Sequence, residues 1–360
     1  MTQKTSYIDH WTWVTPLAAW AVLLTALLTG WGGVFLVLVA ALLGGAVFAA
    51  VHHAEVIAHR IGEPYGTLVL AVAVTVIEVA LIISIMLAVG DAKAALARDT
   101  VFAAIMIVCN GIVGVCLLLG GLRHREQVFH LEGASAALAV LAALAVLALV
   151  LPNYATTVAG PIWSPAQLAF SGIASLVLYG AFVFIQTIRH RDYFLAQGAG
   201  DDVHAPPPSM GQTWASVALL FACLAAVVGL AKTLSPSIEA AVFDFGAPEA
   251  VVGIIIAALV LLPEGLAATR AARADKLQTS LNLALGSALA SIGLTIPVIA
   301  AIFIVTGRPL ILGLSAMDTV LLLLTLLVSA ITLGTGRTTI LQGVVHLVIL
   351  AAFVFLSVVP

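Results

Sequence analysis

The stretch GEPYGTLVLAVAVTVIEVALI, residues 62–82, decides the fold of this chain, because it places the acidic side chain of Glu78 inside a long apolar run. The stretch GAPEAVVGIIIAALVLLPEG, residues 246–265, repeats the arrangement around Glu264. In each stretch an earlier glutamate precedes the embedded one by 15 residues. A carboxylate at the centre of a bilayer costs about 2.5–3.5 kcal/mol on insertion scales, so a matched pair indicates a functional site.

The composition of the whole chain predicts an all-α polytopic membrane protein. Of the 360 residues, 62% are hydrophobic and 9% are charged, and the mean hydropathy is +1.20. A soluble globular chain carries about 25% charged residues. Because about 20 apolar residues cross the hydrocarbon core, eleven transmembrane helices are predicted. They cover residues 14–28, 34–51, 66–89, 100–120, 134–151, 166–188, 213–231, 248–268, 279–305, 316–333 and 338–359.

The distribution of positive charge predicts the orientation. When Lys and Arg are counted on alternate sides of the eleven spans, ten lie on one side and four on the other. The positive-inside rule then places the N-terminus in the cytoplasm and the C-terminus outside. The three cysteines lie inside apolar runs at no metal-site spacing, so neither a disulfide framework nor a zinc site is expected.

The chain divides into two halves of opposite orientation. One extra N-terminal helix, residues 1–33, precedes a first five-helix repeat at 34–188. A Pro- and Gly-containing cytoplasmic linker at 189–212 leads to a second five-helix repeat at 213–360. Because five is odd, the second repeat enters the membrane upside down relative to the first. Inverted repeats with a midplane site are a recurrent plan in transporters.

The span after each glutamate adds a polar residue at similar depth. Asn110 lies ten residues into its span and Ser287 eight residues into its own, so both are predicted to converge with Glu78 and Glu264, which makes four oxygen-bearing side chains. Pro263 would free a backbone carbonyl beside Glu264. Nearby glycines would allow close helix packing or local unwinding; they are Gly265, Gly286 and Gly293.

The predicted ligands are typical of a site for a hard cation. Carboxylate, amide, hydroxyl and backbone oxygens suit calcium, while the lack of His and Cys at this depth argues against zinc and copper. Calcium is the leading ligand at Glu78 and Glu264, and sodium and potassium remain open. Burial and mutual repulsion disfavour two charged carboxylates, so the empty site should take up a proton near neutral pH. Exchange of a cation for protons follows.

Several other residues have two interpretations each. A histidine- and glutamate-bearing face near the cytoplasmic end of the second span would gate protons or form a solvated interface. The earlier glutamates of the two stretches would guide cations or favour helix starts through the dipole. His346, in the last span, would relay protons or hydrogen-bond to a neighbouring helix. The predicted pathway or gating residues are His52, Glu55, His59, Glu63 and Glu249.

The pair of glutamate-bearing stretches, together with the Asn110 helix and the segment ALGSALAS, resembles the two alpha repeats of the calcium/cation antiporter superfamily. The phrase HHAEVIAHRIGEPYGTLVLAVAVTVIEVALI is similar to the bacterial calcium/proton antiporters of the ChaA type. The resemblance covers nearly the whole chain. It implies Glu78 and Glu264 as cation and proton carboxylates and Asn110 and Ser287 as auxiliary ligands. It also implies exchange of cytoplasmic calcium, and in this branch sodium or potassium, for external protons.

Other classes of function fit the sequence less well. A sodium-coupled calcium exchanger on the same fold is the nearest alternative, but the span 279–305 has no carboxylate, which favours protons as the driving ion. A channel would use repeated subunits or filter loops, and an intramembrane enzyme would need a motif that is absent. No enzyme activity and no cofactor are expected. The predicted partners are small inorganic cations and membrane lipid, not nucleic acid, and the predicted location is the bacterial inner membrane.

Overall fold

The computed structural model describes residues 10–29, 33–62, 65–89, 94–195, 207–244, 246, 248, 250–308 and 310–359, and these ranges are almost entirely helical. The α-helices are α1 His10–Thr29, α2 Val34–Ile61, α3 Tyr65–Val89, α4 Leu96–Met106, α5 Val113–His124, α6 Leu131–Ala145, α7 Pro165–Phe184, α8 Met210–Asp244, α9 Ala250–Arg273, α10 Leu277–Thr306, α11 Ala316–Leu333 and α12 Ile340–Val358. Three π-helical segments continue α4, α6 and α7, namely Ile107–Ile112, Val146–Val150 and Ile185–Arg189. Two 3₁₀ turns and two short strands complete the described structure: Leu151–Tyr154, Arg191–Tyr193, β1 Gln127–Val128 and β2 Arg337–Thr338.

The helices confirm the predicted polytopic architecture. Ten helices of the described residues are long and apolar enough to cross a membrane, counting α4, its π segment and α5 as one rod, and α3 adds an apolar stretch at Val72–Ile83. Every predicted span coincides with one of these helices. α8 runs to Asp244, although hydropathy predicts that it ends at residue 231. Lys232 and Ser235 end the apolar run, but they do not interrupt helical hydrogen bonding.

Local chemistry fixes several of the helix ends. Ser164 and Gln167 form a capping box at the start of α7: the Ser164 hydroxyl accepts from the Gln167 N–H at 3.4 Å, and the Gln167 Oε1 accepts from the Ser164 N–H at 3.0 Å. Ser315 caps α11 by accepting from the Asp318 N–H at 3.1 Å. Such bonds satisfy N–H groups that have no partner within the helix, so they define where it begins.

The chain forms two compact units. The first comprises Met1–Ala88 and Asp202–Asp244, and the second comprises Val89–Asp201 and Phe245–Pro360. Each unit draws segments from both predicted halves, since α8 belongs to the second half in sequence but to the first unit in space. The predicted boundaries 1–33, 34–188, 189–212 and 213–360 therefore remain a prediction from the sequence.

In the first unit, α1, α2 and α8 pack together around His53. The His53 Nε2 donates to the Thr12 carbonyl on α1 at 3.0 Å. The His53 Nδ1 accepts from the Ser216 hydroxyl on α8 at 3.2 Å. The Trp20 indole on α1 also donates to the Ala222 carbonyl on α8 at 3.0 Å. These bonds join the N-terminal helix to both of its neighbours.

In the second unit, α9 runs parallel to the rod α4–α5. A Cβ added at Gly253 near the start of α9 would lie 3.0 Å from the Thr100 backbone nitrogen near the start of α4. Towards the other end, the Thr269 hydroxyl lies 3.9 Å from the Cys116 sulphur. Both pairs are separated by 153 residues in sequence, so the two helices keep one register along their length.

The second unit gathers most of its positive charge at one end. β1 pairs antiparallel with β2, which joins the α5–α6 connection to the α11–α12 connection. At the same end the Gln278 amide donates to the Tyr193 carbonyl at 3.4 Å. At the opposite end the Asn153 amide donates to the Leu314 carbonyl at 2.7 Å. The first end carries Arg123, Arg125, Arg189, Arg191, Arg270, Arg273, Lys276 and Arg337, and the described part of the opposite end carries Arg98 and Arg308.

Candidate functional site

Glu78 lies in the middle of α3 and belongs to the first unit. Only 3% of the residue is exposed, and its neighbours Ile77 and Val79 are buried as well. One turn earlier on the same helix, Thr75 is also buried. The structure thus places this carboxylate away from solvent in a helix with no other acidic residue, as the sequence predicts.

Glu264 lies in α9 and belongs to the second unit. It is 8% exposed. The preceding Pro263 removes one backbone donor, but α9 continues through it from Ala250 to Arg273. Of the two alternatives that the sequence left open here, close helix packing or local unwinding, the structure shows no unwinding of α9 at Pro263. The helix absorbs Pro263 because a single missing N–H leaves the other hydrogen bonds of the rod in place.

Asn110 and Glu264 lie at one level of the second unit. A Cβ added at Gly265 would lie 3.3 Å from the Ile112 side chain, which shows that α9 touches the π segment directly beside Glu264. Residues of the two parallel helices that lie at the same height are 153 positions apart, so Glu264 is level with Gly111, the residue after Asn110. At about 1.5 Å per residue, the two positions differ in height by about 1.5 Å.

Ser287 on α10 reaches the same level from the opposite direction. The Ser280 side chain lies against the Cys116 thiol near the basic end of the unit. α10 runs antiparallel to α9, and Ser287 is seven residues beyond Ser280, whereas Asn110 is six residues before Cys116. Seven and six residues correspond to about 10 Å and 9 Å of helix, measured from the height that Ser280 and Cys116 share. Ser287 and Asn110 therefore differ in height by less than about 2 Å. Ser287 itself is half-buried.

Asn110 takes part in a fully buried hydrogen-bond network. Its Nδ2 donates to the Thr325 hydroxyl on α11 at 2.9 Å, and its Oδ1 lies 3.1 Å from the His346 Nδ1 on α12. The His346 Nε2 in turn lies 3.2 Å from the Thr332 hydroxyl. Of the two interpretations for His346, the structure shows the hydrogen bonds to neighbouring helices. Three helical elements are thereby tied together at the level of the candidate site.

Gly265, Gly286 and Gly293, the three glycines noted in the sequence, differ in how closely other helices pack against them. A Cβ at Gly293 would lie 2.7 Å from the Tyr179 Cβ on α7, and Gly265 contacts the π segment as described. These two positions confirm close helix packing. Among the described residues, a Cβ at Gly286 would meet nothing within 4 Å, so no close packing is seen at this position. The helix α10 is continuous through both Gly286 and Gly293.

The predicted pathway residues are only partly described. His52 is half-buried on α2, and its ring lies 5.6 Å from that of Trp11. Glu55 and His59 lie on the same helix and are exposed. Glu63 and Glu249 lie outside the described residues. The exposure of Glu55 and His59 fits the interpretation of a solvated face, and their role in gating remains a prediction.

The described residues also limit how a cation would be held. Among them, no three His, Cys, Asp or Glu side chains lie close enough together to hold a metal ion. A cation bound by Glu264 or Glu78 therefore needs neutral oxygens, such as amide, hydroxyl or backbone carbonyl groups, to complete its shell. Calcium accepts such mixed oxygen ligands, and it takes about six to eight of them.

Sequence reasoning missed the threonines that bind Asn110 and His346. Thr325, Ser329 and Thr332 follow one another at spacings of four and three residues, so they share one face of the otherwise apolar α11. All three are buried. A polar stripe in a lipid-spanning helix is the signal that would have found them.

Comparison with known proteins identifies relatives along the entire length. The family model "Sodium/calcium exchanger protein" matches residues 31–188 and 215–359. A candidate ionic transporter of Sinorhizobium fredii, y4hA, is 51% identical over 364 residues, covering 99% of this chain and 98% of that protein. The sodium-potassium/proton antiporter ChaA of Escherichia coli is 38% identical over 311 residues, covering 85% and 84%. The crystal structure of the H⁺/Ca²⁺ exchanger CAX matches with a TM-score of 0.71 and 15% identity, covering 97% of this chain and 89% of that one, so the folds are alike.

Proposed function

Since the chain belongs to the sodium/calcium exchanger protein family, we propose that it is a secondary active transporter that exchanges small cations for protons. Membership confirms the resemblance seen in the sequence. It also confirms the prediction of a transporter over an enzyme, because the family and the relatives are exchangers and antiporters. The observation that carries the proposal is the presence of a buried glutamate in each of two membrane-spanning helices with matching sequence patterns.

Glu78 and Glu264 serve as the cation- and proton-binding carboxylates in this proposal. Burial of an ionised carboxylate is unfavourable unless a cation or a proton neutralises it. The two carboxylates therefore alternate between a cation-loaded and a protonated form. Asn110 and Ser287 act as auxiliary oxygen ligands, and their common level with Glu264 in the second unit supports this role.

Neutralisation also explains why transport would be coupled. An empty, doubly charged pair would be too costly to carry through an occluded state, so the protein returns only after it has bound protons. Cation export then consumes the inward movement of protons, and leak without exchange is suppressed. The same requirement makes each glutamate indispensable.

Calcium is the leading cargo, with sodium or potassium as the second candidate. Two carboxylates supply the charge and the oxygen ligands that suit a divalent cation. The second candidate is favoured by the 38% identical relative, which is named a sodium-potassium/proton antiporter. A sodium-coupled calcium exchanger is the alternative mechanism, but α10 has no carboxylate to bind additional sodium ions.

The protein is a multi-pass membrane protein, and we place it in the bacterial inner membrane with its N-terminus in the cytoplasm. The bacterial origin of the relatives supports this location. In the second unit the structure gathers eight basic residues at one end and two at the other among the described residues. By the positive-inside rule, the richer end faces the cytoplasm and the C-terminus lies outside.

The decisive experiment measures collapse of an acid-interior pH gradient in everted membrane vesicles. Calcium, sodium and potassium are added separately to vesicles that contain the native protein, Glu78→Gln or Glu264→Gln. Gln keeps the size of the side chain but cannot exchange a proton or neutralise a cation. We expect collapse with the native protein and none above background with either variant.

Glu132→Gln is the matched control, because Glu132 is an exposed carboxylate in the first turn of α6 and should not affect exchange. Native activity in both Glu78→Gln and Glu264→Gln would refute the assigned site. If the native protein moved calcium only against a sodium gradient, the site would stand and the proton coupling would be wrong.

A further inference from the structure

We propose that His346 is a positioning residue whose Nδ1–H holds the Oδ1 of Asn110 and thereby orients that amide for cation binding. The inference rests on the proposed function, because it gives Asn110 a ligand role. It adds a residue from the last helix, α12, to the machinery of a site whose predicted ligands lie on other helices. Neither His346 nor Asn110 is exposed at all, so solvent does not compete for their hydrogen bonds.

The hydrogen-bond partners determine the tautomer of His346. The Asn110 Nδ2 donates to the Thr325 hydroxyl at 2.9 Å, so its Oδ1, which can only accept, faces the imidazole at 3.1 Å. In this arrangement the His346 Nδ1 carries the hydrogen, and the imidazole also makes a hydrogen bond to the Cys109 backbone. In a neutral ring the Nε2 then accepts from the Thr332 hydroxyl at 3.2 Å. Each polar atom in this sequence of bonds has a partner, which is the condition for a rigid buried network.

The backbone around His346 leaves the ring little freedom to move. A Cβ added at Gly114 on α5 would lie 3.1 Å from the His346 Cβ. One turn earlier on α12, a Cβ added at Gly343 would lie 2.5 Å from the Leu118 backbone nitrogen. Glycines at both positions let α5 and α12 approach closely, as small residues do in membranes. This approach fixes the point from which the imidazole reaches Asn110.

The held amide keeps one ligand position open. A carbonyl oxygen has two lone pairs, and the His346 N–H occupies one of them at the Asn110 Oδ1. With the Nδ2 held by Thr325, the amide plane cannot rotate, so the second lone pair keeps a fixed direction at the level of Glu264. Asn110 also lies in a π-helical segment, a feature that often occurs at functional sites.

Two substitutions separate the two ring nitrogens. In His346→Asn the side-chain amide occupies the place of Nδ1, so it still donates to Asn110. In His346→Gln the amide occupies the place of Nε2, so the bond to Asn110 is lost and the bond to Thr332 is kept. Thr325→Val removes the hydroxyl that accepts from the Asn110 Nδ2 without changing side-chain size, and it leaves the 3.9 Å contact of that Nδ2 with the Met106 sulphur. Ser329→Ala is the control on α11, because the Ser329 hydroxyl has no hydrogen-bond partner among the described residues.

The experiment determines the half-saturating concentration and the maximal rate of pH-gradient collapse in everted vesicles for calcium, sodium and potassium chlorides. The thermal unfolding midpoint of each purified variant is measured in parallel. For His346→Gln and Thr325→Val we expect the half-saturating concentration to rise about tenfold, as for loss of one well-placed polar interaction. We expect His346→Asn to stay within about threefold of the native value, and Ser329→Ala to equal it.

Equal increases in His346→Asn and His346→Gln would overturn the positioning role, and so would losses of rate that merely follow a lower unfolding midpoint. Unchanged cation dependence in all His346 and Thr325 variants, with an active native protein, would refute this inference while the proposed function stands. If the native protein collapsed the gradient with none of the three cations, the proposed function itself would fall, and the positioning role with it.

Discussion

Gly343→Ala should separate α12 from α5 and disturb the candidate site from a distance. The added Cβ would lie 2.5 Å from the Leu118 backbone nitrogen and 2.9 Å from both the Leu118 Cα and the Gly114 carbonyl oxygen. All three are backbone atoms, so no side-chain rotation relieves the contact. Ordinary contact between such atoms begins at about 3.5 Å, so α12 must move away from α5 by about 1 Å.

The displacement carries the His346 ring with it. If the ring follows α12 by about 1 Å, its 3.1 Å bond to the Asn110 Oδ1 lengthens to about 4 Å, which is no longer a hydrogen bond. Overpacking costs about 1–3 kcal/mol, and the lost hydrogen bond adds about 1 kcal/mol. The better helix propensity of Ala returns about 0.5–1 kcal/mol. The net loss of stability should be about 1–3.5 kcal/mol.

The native cysteines provide the assay. Cys109, Cys116 and Cys223 are free and buried, so a thiol-reactive fluorophore labels them only as the protein unfolds in detergent. The midpoint of labelling on heating should fall in Gly343→Ala. The control is Gly180→Ala, because Gly180 lies within α7 and an added Cβ there meets no atom of the described residues within 4 Å. That variant should keep or slightly raise the midpoint.

For the reasoning to hold, the labelling midpoint must fall in Gly343→Ala and must not fall in Gly180→Ala. If Gly343→Ala kept the native midpoint and the native cation dependence of exchange, the close approach of α5 and α12 would be wrong. If both variants lowered the midpoint equally, replacing any helical glycine would be the cause of the loss, and the contact between α5 and α12 would not be.

Two further predictions concern the rest of the molecule. His53→Ala removes the hydrogen bonds to Thr12 and Ser216 and leaves a cavity between α1, α2 and α8. It should therefore lower the free energy of unfolding by about 2–4 kcal/mol. The measurement is labelling of Cys223, which should occur at a lower temperature than in the native protein. Gln127→Ala should lower the free energy of unfolding by about 1–3 kcal/mol, because the Ala272 carbonyl at the end of α9 loses its 2.9 Å hydrogen-bond donor. Circular dichroism on heating would show the loss. Val128→Ala, at an exposed position, is the control and should have no effect.

The sequence was sufficient for the transmembrane plan. Hydropathy reports the solvent that each segment prefers, and a bilayer forces every spanning segment to satisfy its own backbone hydrogen bonds. The span 316–333 was therefore predicted with the bounds that α11 has, where Ser315 provides the cap. The burial of Glu78 and Glu264 was also predicted, since a carboxylate inside an apolar helix has no other place to lie.

The ends of helices that continue beyond the apolar segment are harder to predict. α2 continues over His52 and His59 to Ile61, and α8 continues to Asp244. Polar side chains end the hydropathy signal in both cases, but a helix stops only where its backbone loses partners. The π segment at Ile107–Ile112 has no sequence signal of its own, because one added residue changes the rotation of the helix and not its hydropathy.

The sequence by itself determined that this chain is a polytopic membrane protein with one acidic residue inside each of two apolar helices, because composition, periodicity and charge asymmetry each record a preference for lipid or water. Only the tertiary structure decided that His346 and Thr325 hold Asn110. His346 and Asn110 are 236 residues apart in sequence. Their contact depends on how each helix is rotated and how closely glycines let backbones approach, and neither quantity is encoded in any single helix.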